Sequence, residues 1–244
     1  MEKKPFVSPF SLGRHEWSVK WNVMSDRQIN RDMQRRTEKE EQIMRHLKIF
    51  QVMTQKQLRN RFKVSDKQIE NMVRKKLVVR HSLLKNEQEW SIYTLADASN
   101  YWLGYETEDV LKRLVGVDFY FELDHKLPFE FKLLASIQPF VYQIEMNAHV
   151  YEVYVDRGDT LDFLHFIERY QNVCKDRRLF IVAEKINHLN SLVVALQVNG
   201  MKVRAITDSQ LYEQACGFGF YGLNEGGWVL SKQKNIFLEK EKKV

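Results

Sequence analysis

The chain has 244 residues, 44% of them hydrophobic and 29% charged, enough apolar material for packed cores, which excludes a disordered chain. Its formal net charge is +6, unevenly spread: residues 1–104 hold 21 basic and 12 acidic side chains, residues 105–244 hold 17 and 20. Only the first part is built for a polyanion, and the length leaves room for two domains.

Cys174 and Cys216 have no metal-ligand spacing, so they read as ordinary small apolar residues in a reduced, cytoplasmic setting. The opening MEKKPFVSPF lacks the apolar stretch of a signal peptide, and no run of 18 apolar residues occurs. A soluble protein with no membrane partner is therefore expected.

Residues 1–37 read as an N-terminal arm. Trp17 and Trp21, four apart, would share one face of a helix that packs on the next domain or on a partner chain. Arg27, Arg31, Arg35 and Arg36 alternatively make this a basic arm against DNA backbone or minor groove.

Residues 38–103 are expected to be a winged helix-turn-helix. Ile43, Met44, Leu47 and Phe50 recur at three and four residues, giving a first helix with one buried stripe. Thr54 is placed to cap a second helix that buries Leu58 and Phe62, and Ser65 a third that buries Ile69, Met72, Val73 and Leu77. Leu77–Ser82 and Trp90–Leu95 read as two strands around a polar turn at Lys85–Gln88, a hairpin wing. From Arg45 to Lys85 twelve Lys or Arg stand against Asp66 and Glu70, a local net charge of +10.

The third helix is left with Lys67, Gln68, Asn71, Arg74 and Lys75 facing outward. Those types hydrogen-bond base edges or neutralise phosphate, which points to the major groove of double-stranded DNA. Arg80 and Lys85 would supply the wing's backbone contacts, and Lys56, Arg59 and Arg61 would meet phosphates beside the turn. The plainer alternative is a solvated charged surface on a protein-binding module, which predicts salt-insensitive behaviour and no DNA binding.

Ala96–Leu103 reads as a short helix stopped by Gly104, and 104–116 as a linker helix with Val110, Leu111 and Leu114 on one face. From 117 to 244 the pattern alternates. Val117–Leu123, Phe129–Leu134, Val141–Ile144, Val150–Val155, Arg178–Ala183 and Val203–Ile206 read as strands. Thr160–Tyr170 and Ile186–Val198 read as helices, and Asp208 as the cap of a last one. The glycines at 217, 219, 226 and 227 read as a C-terminal loop, and FLEKEKKV as a solvated tail. The whole is an α/β (α+β) chain whose second domain has a mixed central sheet with parallel crossovers.

With VYEVYVDRGDTLDFLHFIERYQN, RRLFIVAEKINHLNSLVVAL and MKVRAIT following such a winged domain, the chain resembles the replication-relaxation family of plasmid and integrative-element proteins. The segment carrying most of the likeness is Val155-Asp156-Arg157-Gly158-Asp159-Thr160, a strand, an acid, Arg-Gly and a helix. The resemblance implies a restriction-endonuclease-like second domain and a role in transcription or replication of a mobile element.

A nuclease of that lineage needs clustered acids for Mg²⁺ and a Lys two residues after one of them. Here Tyr154 follows Glu152 and Gly158 follows Asp156 at that spacing, and Glu145 and Asn147 stand where a Pro-Asp pair is needed. Asp124 with Glu130-Phe131-Lys132 is a rival set, but more strand and Pro139 follow it where a helix is required. The seven histidines are scattered. The expectation is a sequence-specific double-stranded DNA-binding protein with no cofactor, no metal and no catalytic residues. Its second domain would serve a homodimer or a protein partner, and a metal-dependent DNA nuclease is the alternative.

Overall fold

A computed structural model describes residues 8–11, 16–22, 36–97, 106–213 and 218–231, which are mixed α and β. The chain splits into two compact units, Leu12–Phe121 and Met1–Ser11 with Glu122–Val244.

In the Leu12–Phe121 unit, β1 (Trp17–Lys20) is followed by α1 (Glu38–Phe50), β2 (Met53–Thr54), α2 (Gln55–Phe62) and α3 (Asp66–Arg74). The hairpin β3 (Val78–Lys85) and β4 (Gln88–Leu95) comes next, then α4 (Thr107–Lys126), which runs past the unit's end. Three helix starts are fixed by reciprocal capping boxes, Thr37 with Glu40, Thr54 with Gln57 and Ser65 with Gln68. Lys63, in the left-handed region at φ 51°, turns the chain from α2 towards α3. The apolar stripes bury Ile43, Leu47 and Phe50 of α1, Leu58 and Phe62 of α2, and Ile69 and Met72 of α3. Each such side chain stabilises by about 1.5–3 kcal/mol.

The small sheet runs β1-β3-β4-β2, all antiparallel. Its outer strand is a correction: Trp17 lies in a strand paired with the hairpin, Trp17 opposite Lys85 and Lys20 opposite Ser82, so Trp17 and Trp21 do not share a helical face. In a tract of only four paired residues, a period of two and a spacing of four coexist, and the free edge of β3 decides between them.

A second correction concerns Val117–Leu123, expected as a strand, which lies inside α4. Val110, Leu111, Leu114, Val115, Val117, Phe119, Tyr120 and Leu123 are all buried, so the helix is enclosed on most of its sides and loses the polar stripe that marks a helix. The junction expected between 100 and 116 therefore falls at 121/122, within a continuous helix.

The second unit holds a seven-stranded sheet in the order β11-β10-β9-β8-β7-β6-β5. Its strands are β5 (Lys132–Leu134), β6 (Tyr142–Met146), β7 (His149–Val155), β8 (Arg178–Ala183), β9 (Lys202–Thr207), β10 (Phe220–Asn224) and β11 (Gly227–Ser231). Only β7, β8 and β9 are mutually parallel. Between them come α5 (Thr160–Arg169) with α6 (Gln171–Cys174), and a 3-10 turn (Ile186–Leu192) that continues into α7 (Val193–Val198). Phe163, Ile167, Leu189, Leu192 and Leu196 pack in one cluster with Tyr154, Leu179, Ile181 and Val203, so both crossovers cover the same face of the sheet. Val153, Val155, Phe180, Val182 and Ile206 are buried as well, which explains the uninterrupted apolar run of β8.

Smaller differences are local. The strand expected over Phe129–Leu134 is confined to β5, and Ile186–Val198 begins as a 3-10 turn. Thr207, not Asp208, caps α8 (Asp208–Tyr212) through a box with Gln210. Gly226 and Gly227 belong to the β10–β11 hairpin, and Gly227 takes φ +107°, a region open to glycine. Arg27, Arg31, Arg35, Tyr101, Trp102, Cys216 and the tail lie outside the described residues. Cys174 is free and buried, and burial pushes its thiol up. Among the described residues no helix is long and apolar enough to cross a membrane.

Candidate nucleic-acid interface

Helix α3 turns Ile69 and Met72 into the core. At roughly 100° per residue, Arg74, Lys67 and Asn71 then fall within about 60° of one another on the opposite side, with Glu70 beside Arg74. Lys67 and Arg74 are exposed and Asn71 half-buried, and none of the three side chains has a hydrogen-bond or ion-pair partner among the described residues.

The other expected positions divide. Lys75 is drawn inward: its Nζ lies 2.8 Å from Glu40 Oε1 and 3.1 Å from Oε2, tying the end of α3 to the first turn of α1. Burial pushes the Glu40 carboxyl up, but Lys75 and the Thr37 amide outweigh it and hold the group below its usual value. Gln68 spends its carbonyl oxygen on the cap, accepting from Ser65 N at 2.8 Å and from the Ser65 hydroxyl at 3.2 Å. Arg59 pairs with Asp66 at 3.5 Å, and Asp66 also accepts from Gln55 Nε2 at 2.8 Å.

Two more cations rest on rings. The Arg61 guanidinium lies 5.2 Å from the Phe121 ring centroid, and Lys85 Nζ 4.9 Å from that of Trp17. Lys56 and Arg80 are exposed with no side-chain partner among the described residues. The arrangement thus brings Lys67, Asn71 and Arg74 together, keeps Lys56 and Arg80 available, and commits Arg59, Arg61, Lys75, Lys85 and the Gln68 carbonyl to the fold.

Sequence reasoning missed the hairpin's internal brace. His81 is fully buried; its Nδ1 accepts from Asn22 N at 3.0 Å, and its Nε2 lies 2.9 Å from Thr94 Oγ1. Burial lowers its pKa to about 4. The edge of Trp21 meets the imidazole at 4.9 Å between centroids. Asn22 also donates to the Arg80 carbonyl at 2.6 Å, which ties the residues after β1 to the strand carrying Arg80. A histidine between apolar Val79 and Leu83 at alternating positions was the available signal.

In the second unit the acids considered for metal chemistry are separately engaged. Glu152 accepts from Ser136 at 2.7 Å and Gln143 at 2.9 Å and is salt-bridged to Arg177. Asp156 is buried at the carboxyl end of β7, accepting from Thr160 Oγ1 at 2.8 Å and Gly158 N at 3.3 Å, with His188 Nδ1 3.9 Å from its other oxygen. Burial raises its pKa.

Arg157, also buried, spans both carboxylate oxygens of Asp208 at 2.9 and 3.0 Å and donates to the Asp156 carbonyl. Ser8 bonds Asp208 from the other side. Lys132 pairs with Glu145 at 3.3 Å, and Asp124 sits on α4. Among the described residues no group of three or more His, Cys, Asp or Glu is placed to hold a metal ion.

No family profile, curated protein or solved structure matches the chain.

Proposed function

We propose that the Leu12–Phe121 unit is a winged helix-turn-helix that binds double-stranded DNA, with α3 in the major groove and the β3–β4 hairpin as the wing. The observation that carries this reading is the arc of α3 on which Lys67, Asn71 and Arg74 stand together, unclaimed by side-chain bonds among the described residues. An amide between two cations suits a base edge flanked by phosphates. Lys56 and Arg80 extend the positive surface on α2 and the hairpin. The second unit then serves self-association or a protein partner, and its nuclease-like character stays a resemblance. Glu152, with Arg177 and two neutral donors on its carboxylate, is poorly disposed to take Mg²⁺. The family resembled suggests a regulator of transcription or replication on a mobile element in the cytoplasm.

The test is selection of a duplex from a random pool followed by anisotropy titration. Lys67→Ala and Arg74→Ala are each expected to cost about 1–3 kcal/mol where they read a base. Unchanged affinity in both would remove α3 from the interface. Incubation of supercoiled plasmid with Mg²⁺ or Mn²⁺ should leave it intact; nicking that disappears in Asp156→Ala or Glu130→Ala would instead establish the enzyme.

A further inference from the structure

Strand β11 closes one end of the seven-stranded sheet, and among the described residues no strand pairs with its outer edge. A bare edge is a template for another strand, and proteins blunt such edges with charge, proline or shortness. The other edges of this chain are blunted. β5 is three residues long and carries the exposed Lys132, β2 is two residues long, and β1 ends on the exposed Lys20. β11 reads Gly227-Trp228-Val229-Leu230-Ser231, with neither charge nor proline, and Val229 and Leu230 are 49% and 53% exposed.

Its surroundings are neutral too. Gln197 Nε2 donates to the Asn224 carbonyl at 2.7 Å, which ties α7 to the β10–β11 hairpin. Residues 186–201, which include α7, hold no Asp, Glu, Lys or Arg, and residues 216–231 hold Glu225 alone, in a chain that is 29% charged. Val194 and Val198 stand exposed on α7. Depletion of charge around exposed apolar side chains is the mark of a protein interface's core.

The register selects the occupant. Trp228 is opposite Leu223 and Leu230 opposite Tyr221, and Tyr221, Leu223 and Trp228 pack on the helix-covered face of the sheet. Leu230 therefore shares that face, and Val229 takes the other. When two copies of β11 pair antiparallel about an axis perpendicular to the sheet, opposed residues lie on one face, so their numbers sum to an even value. Among such registers only Val229 opposite Val229 pairs all five residues, with Trp228 against Leu230 and Gly227 against Ser231. No charge is opposed to another. Because β5 is blunted, the sheets have no second edge for head-to-tail growth, and the contact closes as a dimer.

We propose that β11 is a homodimerisation edge, joined to the β11 of a second copy about Val229 in one continuous sheet. The proposal rests on the self-association reading of the second unit and names the surface responsible. A five-residue strand spans about 17 Å, which places the contact among reversible interfaces below about 1,200 Å².

The experiment uses the full chain. Sedimentation equilibrium from about 1 to 300 μM, the range suited to so small an interface, should show monomer and dimer in exchange. Val229→Lys and Val229→Glu should each weaken the dimer at least tenfold, because like charges then stand opposite one another. Mixing the two variants should restore dimerisation, which a misfolded variant would not do. In a chain with Cys216→Ser, Val229→Cys should oxidise to a covalent dimer, since opposed Cα atoms about 4.5–5.5 Å apart lie within disulfide reach. Ser231→Cys, facing Gly227, should not.

A dimer untouched by Val229→Lys and Val229→Glu overturns this edge and leaves self-association standing through another surface. A chain monomeric throughout the range refutes self-association itself. Equal cross-linking at positions 229 and 231 overturns the Val229-centred register.

Discussion

Acidification should loosen the hairpin through His81. Because Asn22 N–H donates to Nδ1, the neutral imidazole carries its proton on Nε2 and gives it to Thr94 Oγ1, so the ring is already fully bonded without a charge. A second proton would have to enter on Nδ1, facing an N–H that points at it, in a fully buried site. Burial of the ring lowers the folded pKa to about 4 from an ordinary 6.5. The unfolded chain therefore binds a proton that the folded one refuses. Stability from this group is intact above pH 6.5, falls as pH drops, and levels off below about 4.

At 1.36 kcal/mol per pKa unit the full loss is about 3 kcal/mol, of which about 2 kcal/mol should appear between pH 7.5 and 5. Urea unfolding followed by tryptophan fluorescence reads it, since Trp17, Trp21 and Trp90 all belong to this unit. The same pair of titrations on His81→Phe cancels contributions from other groups, and the difference between the two pH slopes isolates the imidazole. A direct imidazole NMR titration with its midpoint near 6.5, or equal slopes in wild type and variant, would refute the reasoning.

Other outcomes follow from the same geometry. Arg157→Met strands the Asp208 carboxylate in the interior and should cost about 3–5 kcal/mol in urea unfolding, with Asp208→Asn in the same chain recovering part of it. Lys75→Ala and Glu40→Gln should each cost on the order of 1 kcal/mol, and the double variant less than their sum, because the pair is only partly shielded from water. For duplex binding, the four assigned cations that have no side-chain partner among the described residues, Lys56, Lys67, Arg74 and Arg80, set an expected log-log salt slope of about 3 to 4 per chain. A slope near seven in anisotropy titrations would mean that Arg59, Arg61, Lys75 and Lys85 also leave their contacts on binding.

The parts of the fold that depend on neighbouring residues were open to reading. Ser65, Gln68 and the Ile69/Met72 spacing specify α3 within a dozen residues, and the apolar run Arg178–Ala183 matched β8 end to end. The misreadings share a physical cause, in that a distant element supplied the decision. Val117–Leu123 has β-rich composition, but α4 is enclosed on most of its sides, and burial of this kind outweighs propensities of under about 1 kcal/mol per residue. Trp17–Lys20 becomes a strand because β3 offers it an edge more than sixty residues away. In the candidate site, helical spacing placed Lys67, Asn71 and Arg74 correctly on the outer arc of α3. Nothing near Lys75 in sequence announces Glu40, which stands 35 residues earlier.

That last pair shows why counting charge overstates an interface. The stretch from Arg45 to Lys85 has a net charge of +10, yet of the eight cations assigned to DNA, two are neutralised by acids and two lie over rings. A cation in such a contact has already given up part of its hydration and its rotamer freedom to the fold, and transferring it to phosphate would forfeit that contact. An exposed cation has no such contact to lose and gains counterion release on binding. On the proposed duplex-binding reading, this division gives a structural role to Arg59, Arg61, Lys75 and Lys85, leaves recognition to Lys67 and Arg74, and makes Lys56 and Arg80 flanking phosphate contacts.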